Sequence, residues 1–434
     1  MSRSKMSLMQ FTFLTALNML GSGIIMLPAK LASVGMISLI SWVVTIVGVI
    51  ALAYSFAKCG MYSRKHGGLG GIAEYTFGKS GSFLVNFIYT ISLVIANVAI
   101  MATALSYLLA TVHVTLSPMT NLALMVVLLW LATAANFRGA QFTGLITALS
   151  FWGIALALIV FTLAGPFWFD FSLLQANWNP HGYSVFEAMG HTVSMQLWAF
   201  LGLESACANS DSVENPETNV PRAVLIAAGF VAFLYVITTT LVGGVVPNAE
   251  LVNSDAPFAI VFSELFGPSV SMVFAVLMSL TCYGSLVSWQ FTVSRVCKTS
   301  ADLGYFPRVF AKVSETDSPI LGLLLIGVVQ TILIGISFTP SLYKQFALLV
   351  DISVITNVIP YMFCVASLFS LVRLVGNKEK NPWFVFVMAT IALLYTFYVF
   401  TSYESFLVRF ATIVTFAGWV FYGMFIPIDK DVQH

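Results

Sequence analysis

One acidic residue lies within an otherwise apolar stretch of the chain, Leu197 to Ala208. This residue is Glu204. A carboxylate inside a membrane segment costs on the order of 3 kcal/mol, so such a residue normally faces a cavity or a partner. The stretch contains no cation, which makes a cationic ligand, or a proton when the site is empty, the simplest partner. A permanently protonated, hydrogen-bonded Glu204 is the structural alternative.

Two tryptophans can complete a cation site around Glu204. Trp198 precedes it by six residues in the same stretch, and Trp289 lies in a later apolar segment. The face of a desolvated indole attracts an ammonium by about 2 kcal/mol. Since 14% of the residues are aromatic, most rings must contact lipid or the protein core. Trp198 is favoured because it shares a segment with Glu204.

Glycines interrupt two apolar segments at corresponding places. Gly21, Ser22 and Gly23 lie near the middle of the first segment, and Gly202 precedes Glu204 in the sixth. The two sites are 181 residues, or five segments, apart, and an odd number of segments inverts the topology of a repeat. Paired interruptions of this kind indicate the binding site of a transporter. Ordinary close packing of small residues is the alternative for Gly21 and Gly23.

The other reactive side chains do not indicate an enzyme or a metal site. The five cysteines, Cys59, Cys207, Cys282, Cys297 and Cys364, include no C-x-x-C pair, and the five histidines lack metal-ligand spacing. We expect no cofactor. The glycine-rich run 67–71 has no following G-K-[ST] and is not a phosphate loop; it suggests a mobile or re-entrant segment. Glu74 behind it could attract cations, although a solvated loop acid would look the same.

The composition places these residues in a membrane protein. Of the 434 residues 59% are apolar and 9% are charged, whereas a soluble domain carries about 25% charged residues. This excludes a soluble enzyme, a nucleic-acid binder and a disordered chain. The net charge of +1 also argues against a polyanionic partner.

The spacing of the charges predicts twelve membrane helices. A membrane-spanning helix needs about 20 apolar residues, and the runs are too long for barrel strands. The predicted spans lie within 5–30, 30–58, 79–138 (two spans), 139–169, 188–208, 223–246, 268–293, 320–338, 352–372, 382–402 and 410–426. With the N-terminus inside, sixteen Lys and Arg residues fall on the cytoplasmic side and three outside. This positive-inside bias predicts that both termini are cytoplasmic.

Several stretches resemble the amino acid–polyamine–organocation transporters, and among them the bacterial basic amino acid/polyamine antiporters. The matching stretches run essentially the whole length of the chain and include 18–28, 56–60, 70–75, 77–81, 95–100, 197–209, 213–217, 289–292 and 304–307. The resemblance implies an all-α membrane fold of twelve helices, with an inverted five-helix repeat and broken helices 1 and 6. The repeats would cover about 8–169 and 188–374 in a core of 1–374, followed by two additional helices at 381–428 and a cytoplasmic tail at 429–434.

The resemblance also implies a function and its residues. It implies exchange of putrescine for ornithine across the bacterial inner membrane, with proton-coupled putrescine uptake as a further mode. The positions that match polyamine-handling residues of such antiporters are Cys59, Glu74, Tyr89, Trp198, Glu204, Cys207, Cys282, Trp289 and Tyr422. Lys298 and Tyr305 match positions linked to uptake, and Asn97 matches a substrate-proximal Asn of a related exchanger. The chain departs from the pattern at Tyr283, where a second cysteine would stand, and at Lys430, where an acid would stand.

Chemistry suggests how one site could hold both substrates. Backbone amides around Gly21–Gly23 can accept the carboxylate of ornithine at a half-helix N-terminus, so a bulky residue at Gly23 is expected to impair ornithine binding. Carbonyl groups at the second break, Glu204 and the Trp faces can hold amines. Trp198 could close the site from outside.

Three other functions are alternatives to this exchange. Another diamine/amino acid pair, such as cadaverine and lysine, would use the same chemistry. A passive channel would favour a polar stripe or acidic rings rather than one acid in one broken helix. A nutrient sensor would need a signalling domain, which the sequence does not contain.

Overall fold

The computed structural model describes residues 6–112, 114–204, 213–339 and 341–425. Within these ranges the chain forms sixteen α-helices and a few short 3-10 turns. The β structure described there is a single bridge between Met6 and Val213. The prediction of an all-α protein is therefore confirmed.

The helices, in chain order, have the following bounds: α1 Leu8–Met19, α2 Ser22–Ala32, α3 Ser41–Tyr62, α4 Leu69–Val112, α5 Pro118–Ala135, α6 Ala140–Ala164, α7 Phe171–Ala176, α8 Val185–Ala199, α9 Pro216–Val245, α10 Asn248–Leu251, α11 Pro257–Phe266, α12 Pro268–Asp302, α13 Ile320–Ile336, α14 Leu342–Val375, α15 Pro382–Thr401 and α16 Ser405–Phe425.

Nine of the described helical stretches are long and apolar enough to cross a membrane. They correspond to α3, α4, α5, α6, α9, α12, α14, α15 and α16. The shorter apolar helix α13, together with the first and sixth predicted segments, brings the number to twelve. The protein is thus a multi-span membrane protein with the twelve predicted segments.

The first segment is broken at its glycines, as predicted. Helix α1 ends at Met19 and α2 begins at Ser22, with Leu20 and Gly21 in extended conformations between them. A break leaves the last carbonyl groups of one half-helix and the first amides of the other without intrahelical partners. Gly21 caps α2 without a side-chain hydrogen bond, so these amides receive no bond from the cap.

The sixth segment also stops within its predicted span. Helix α8 ends at Ala199, and residues 200–204 form turns. Gly202 has a φ of +109°, a conformation that favours glycine because other residues carry a Cβ. Residues 205–212, which include Ser205 and Cys207, lie outside the described ranges.

The two breaks pack directly against each other through glycine. A Cβ built on Gly23 would lie 2.5 Å from the Cα of Ala199, and one built on Gly202 would collide with the carbonyl oxygen of Asn18. A real Cβ does not approach another backbone so closely. The glycines therefore allow α1, α2 and α8 to meet at one place in the bundle.

Helix α4 forms the centre of the bundle around these breaks. It packs along α12 and α14 and is buried over most of its length, whereas half of the described apolar side chains of α16 are exposed. Gly78, at φ +64°, separates a short helical part, Leu69 to Phe77, from the long central part. The glycine-rich run 67–71 thus leads into a helix that packs on the start of the central part, since the Gly70 amide donates to the Asn86 carbonyl oxygen.

Replacing Gly23 by Ala is expected to lower the melting temperature of the detergent-solubilised protein. The added methyl group must displace the backbone at Ala199, and overpacking of this kind costs about 1–3 kcal/mol. Gly190→Ala in α8 is the matched control, because no heavy atom lies within 4 Å of a Cβ at that position. Equal melting temperatures of the two variants in thermal unfolding would contradict the packing role of Gly23.

Candidate functional site

The carboxylate of Glu204 lies inside the protein and is held by three hydrogen bonds. Tyr89 donates its hydroxyl proton to Oε1 at 2.7 Å, and Tyr361 donates to Oε2 at 2.6 Å. The backbone N–H of Gly202 donates to Oε2 at 3.0 Å. Glu204 is 7% exposed, and none of the ion pairs among the described residues includes it. The carboxylate is therefore oriented by neutral donors, and the described part of the chain supplies no counter-ion.

Three elements of the fold meet at this carboxylate. Tyr89 lies on α4, Tyr361 lies on α14, and Glu204 lies in the turn that follows α8. The ring of Tyr361 packs edge-on against Phe56, with centroids 4.8 Å apart, and is fully buried. Sequence reasoning named Tyr89 but missed Tyr361, because a Tyr in an apolar helix is common and no spacing connects position 361 with position 204.

Tyr235 links the ends of the two broken segments. Its hydroxyl lies 2.9 Å from the carbonyl oxygen of Met19 and 2.9 Å from that of Ala199, the last residues of α1 and α8. These carbonyl groups carry the negative partial charge of a helix C-terminus. Sequence reasoning did not identify Tyr235, which lies in an ordinary apolar stretch of α9. Tyr235 therefore brings the C-termini of α1 and α8 together, and the partial negative charge of both helix ends favours a cation.

Trp198 faces the protein interior at the end of α8. It is 5% exposed, and its ring stands edge-on to Phe346 with centroids 6.5 Å apart. Its indole N–H has no hydrogen-bond partner among the described residues. Trp289 on α12 is half-buried, and no ring contact or hydrogen bond joins it to Glu204 in the described ranges. Trp198 thus lies on the helix that leads directly into the turn of Glu204, whereas Trp289 lies on α12.

The glycines of the first break have different surroundings. A Cβ at Gly21 would make only ordinary contact with the Ser285 hydroxyl, at 3.6 Å, whereas Gly23 faces the backbone at Ala199. Ser22 begins α2. The amides at this N-terminus could receive an anion, but a bulky residue at Gly23 would first disturb helix packing. Gly23→Val is therefore not a selective test of carboxylate binding.

Asn97 and the buried cysteines lie deeper in the bundle. Asn97 is fully buried on α4 and donates through Nδ2 to the Oε1 atom of Gln290 at 2.8 Å. Cys282 on α12 is fully buried, and Cys59 on α3 is fully buried with its Sγ 3.6 Å from the carbonyl oxygen of Cys364. None of these three contacts Glu204 through a described hydrogen bond. The position of Cys207 lies outside the described ranges.

A cleft on the predicted outer side lies beyond Trp198. Lys30 at the end of α2 and Asp351 on α14 face each other across it, with Nζ and Oδ2 3.9 Å apart. The Ser194 hydroxyl of α8 donates to Asp351 at 3.1 Å, and Phe346 lines the cleft beside Trp198. This loose ion pair joins α2, α8 and α14 above the broken segments.

A tighter ion pair lies on the predicted cytoplasmic side. Lys58 at the end of α3 binds Glu379 at 2.7 Å, and the Tyr62 hydroxyl bonds the same oxygen. Burial raises the pKa of Glu379, but the hydrogen bonds from Lys58 and Tyr62 outweigh it, and the pKa lies below its ordinary value. The link between α14 and α15 is thereby fastened to α3.

Tyr305 and Tyr422, two of the residues that the resemblance implies, lie close together. Tyr305 and Tyr422 both pack on the ring of Phe83, with centroids 6.1 and 5.5 Å apart. Burial raises the pKa of Tyr305, and the negative charge of Glu74 adds to the rise. Tyr305 and Tyr422 are therefore neighbours around Phe83.

Glu74 and Lys298 are each paired with a nearby charge. Glu74 accepts from Lys65 at 2.6 Å, which reduces its ability to attract other cations. Lys298 binds Asp302 one turn further along α12, at 2.7 Å. Neither of them is linked to Glu204 by a described hydrogen bond.

Comparison with known proteins places this arrangement in a family. The model of the amino acid permease family matches residues 6–426. The chain is 46% identical to the putrescine transporter PotE of Escherichia coli K12 over 424 residues, which are 98% of this chain and 97% of the relative. It is 47% identical to the putrescine transporter PotE of Haemophilus influenzae over 433 residues, or 99% of each chain.

A more distant relative is the cadaverine/lysine antiporter of Escherichia coli K12. It is 29% identical over 430 residues, which are 97% of this chain and 95% of the relative. The match of the family model to nearly the whole chain, and the identity of almost half with full-length relatives, agree with a membrane protein of twelve segments. The chain therefore belongs to the amino acid permease family.

Proposed function

We propose that this protein transports polyamines, and that it exchanges putrescine for ornithine by alternating access to one central site. The observation that carries the proposal is the buried carboxylate of Glu204, which accepts three neutral hydrogen bonds and has no counter-ion among the described residues. The relatives that share 46% and 47% of its residues are named putrescine transporters. A dication is the ligand that such a carboxylate attracts best.

Putrescine would be held mainly by negative charge and aromatic faces. One ammonium group would bind Glu204 and the C-terminal carbonyl groups of Met19 and Ala199, which Tyr235 holds close together. The ring of Trp198 would cover the ligand and add a cation–π attraction. Putrescine has no carboxylate, so it depends on these contacts more than ornithine does.

Ornithine would use the same amine contacts and one further contact. Its α-carboxylate would bind the first amides of α2, where Gly21 leaves the helix N-terminus without a side-chain cap. The positive end of α2 and the negative ends of α1 and α8 thus match the two ends of an amino acid. One site can therefore hold either substrate, as exchange requires.

Alternating access would move the elements that meet at Glu204. The bonds from Tyr89 and Tyr361 tie the turn after α8 to α4 and α14, while Lys30 and Asp351 tie α2 to α14 on the predicted outer side. Opening to either side would break one set of links. Protons could compete with putrescine for Glu204, which would couple uptake to a proton gradient.

The proposal includes a domain organisation and a location. Residues 1–374 would form the ten-helix transport core, with inverted repeats at about 8–169 and 188–374. Residues 381–428 would add two helices and 429–434 a cytoplasmic tail. The protein would lie in a bacterial inner membrane with both termini in the cytoplasm, as the excess of Lys and Arg in the predicted cytoplasmic loops indicates.

The alternative substrate pair is cadaverine and lysine, each one methylene longer than its counterpart. The relative named for this pair shares 29% of its residues with the chain, against 46% for the putrescine transporter of the same organism. A methylene group alters binding by about 1–3 kcal/mol in a fitted pocket. A site fitted to one pair would therefore bind the other pair with measurably different affinity.

Proteoliposomes loaded with ornithine are expected to accumulate labelled putrescine. Uptake should saturate and should fall sharply when the vesicles contain no amine, because exchange requires a substrate on both sides. Vesicles loaded with lysine and offered labelled cadaverine provide the comparison. Faster cadaverine–lysine exchange would replace the proposed pair, and non-saturating flux that ignores the internal amine would indicate a channel.

Glu204→Gln is expected to raise the KM for putrescine at least tenfold and the KM for ornithine less. A hydrogen bond to a charged group contributes about 1.5–3 kcal/mol, and ornithine keeps its carboxylate contact when that bond is lost. Glu264→Gln is the matched control, since Glu264 is an exposed acid on α11. Equal increases for both substrates in the exchange assay would refute the roles assigned to the two ends of the site.

A further inference from the structure

A connected set of four polar side chains crosses the bundle beside the broken segments. Its members are Thr133 on α5, Gln290 on α12, Gln330 on α13 and Asn97 on α4, and each is fully buried. Buried polar groups inside a membrane protein are costly unless each one is paired. Each polar atom of the set therefore needs a hydrogen-bond partner.

The backbone of α5 determines the direction of the first hydrogen bond. The Thr133 hydroxyl donates its only proton to the carbonyl oxygen of Leu129, at 2.9 Å. The hydroxyl can then only accept from Gln290, whose Nε2 lies 3.2 Å away. The amide nitrogen of Gln290 must therefore face Thr133, since the partners of an amide decide which way it points.

Gln330 locks this orientation. The two glutamine amides pair reciprocally, with each Nε2 2.9 Å from the Oε1 of the other. Turning either amide alone would place two donors and two acceptors face to face. The Oε1 of Gln290 is thus held toward α4.

The last member of the set is left with a free acceptor. Because Gln290 presents an oxygen, Asn97 must present Nδ2 to it, at 2.8 Å. The Oδ1 of Asn97 then points elsewhere and has no hydrogen-bond partner among the described residues. A fully buried carbonyl oxygen without a donor is costly, and a ligand with an N–H group would satisfy it.

The position of Asn97 on α4 places it between two contacts with the broken segments. Tyr89 on this helix reaches Glu204, and Tyr107 reaches the carbonyl oxygen of Ile25 in α2, at 3.2 Å. Those two tyrosines are 18 residues apart, or five full turns, so they share one face of α4. Asn97 lies between them along the axis, about 80° around the helix, on the side that adjoins α12.

We propose that Thr133, Gln290 and Gln330 are positioning residues that hold the Asn97 carbonyl oxygen as an acceptor for a substrate ammonium group. This inference rests on the proposed function and adds the residues that set the selectivity of the site. An ammonium group carries only donors, which match the free oxygen, whereas a carboxylate carries only acceptors and would be repelled. The set therefore makes the site bind the amine end of a substrate, and not its carboxylate, at Asn97.

The first test compares two substitutions of one threonine. Thr133→Val removes the hydroxyl with little change of shape, which leaves a Gln290 N–H unpaired and frees the amides to turn. We expect the KM for putrescine to rise roughly tenfold with the maximal exchange rate nearly unchanged, since an oriented bond to a charged group is lost. Thr133→Ser keeps the hydroxyl and should restore the wild-type KM.

Thr396→Val on α15 is the matched control for this pair. Thr396 is also fully buried, and its hydroxyl bonds only backbone oxygens, at Ala392 and Leu393. A similar rise in KM with Thr396→Val, or an unchanged KM with Thr133→Val, would overturn the proposal. The melting temperature of each purified variant reports whether it has folded.

The second test asks whether Gln290 acts through Asn97. Asn97→Leu removes the acceptor, and Gln290→Met removes the group that orients it. If the proposal holds, the double variant should have the same putrescine KM as Asn97→Leu alone, because the orientation no longer matters. If the KM of the double variant instead rises by the product of the two single increases, the two residues act independently and the proposal is wrong.

Failure of the proposed function and failure of this inference would give different results. A wild-type protein that exchanges another amine but not putrescine would refute the proposed substrate. The same variants would then be measured with that amine, and the coupling between positions 97 and 290 would still decide the inference. A wild-type protein that exchanges no amine at all would refute both.

Discussion

The need to satisfy a carboxylate inside a membrane protein dominates this structure. Glu204 cannot obtain hydrogen bonds from lipid, so Tyr89, Tyr361 and the Gly202 amide provide them. Those donors come from α4, α14 and the turn after α8, and their convergence places three elements around one negative charge. The described residues orient this carboxylate but provide no cation to pair with it.

The broken segments can surround this carboxylate because they lack side chains where they meet. Gly23 and Gly202 let the backbones of the first and sixth segments come into contact, and Tyr235 then bridges the carbonyl groups at both breaks. Packing and electrostatics thus depend on the same geometry. Separating the breaks by the width of one methyl group would also pull apart the two helix C-termini that favour a cation.

The ion pairs on the two predicted sides of the membrane differ in strength. Lys58 and Glu379 are 2.7 Å apart and nearly buried, with Tyr62 as a further donor, whereas Lys30 and Asp351 are 3.9 Å apart and about one-fifth exposed. Short, well-bonded buried pairs resist separation more than loose ones. The predicted outer side, at Lys30 and Asp351, is therefore held together less firmly than the predicted cytoplasmic side.

The sequence alone determined the fold class, the twelve segments and the place of both breaks. Runs of about 20 apolar residues, paired glycines and one isolated acid are local features, and lipid leaves few alternatives to helices for such runs. It also indicated Tyr89 and Glu204, through resemblance and through the cost of burying a charge. Glu74 was named as well, but the sequence did not reveal that Lys65 neutralises it.

Only the tertiary structure decided which distant side chains share a hydrogen bond. Tyr361, Tyr235 and the set of Thr133, Gln290, Gln330 and Asn97 join helices that are up to about two hundred residues apart along the chain. A single Tyr or Gln in an apolar helix carries no sign of its partner, because periodicity specifies a face of a helix and not the neighbour that covers it. The rotation and depth at which the helices pack determine those partners.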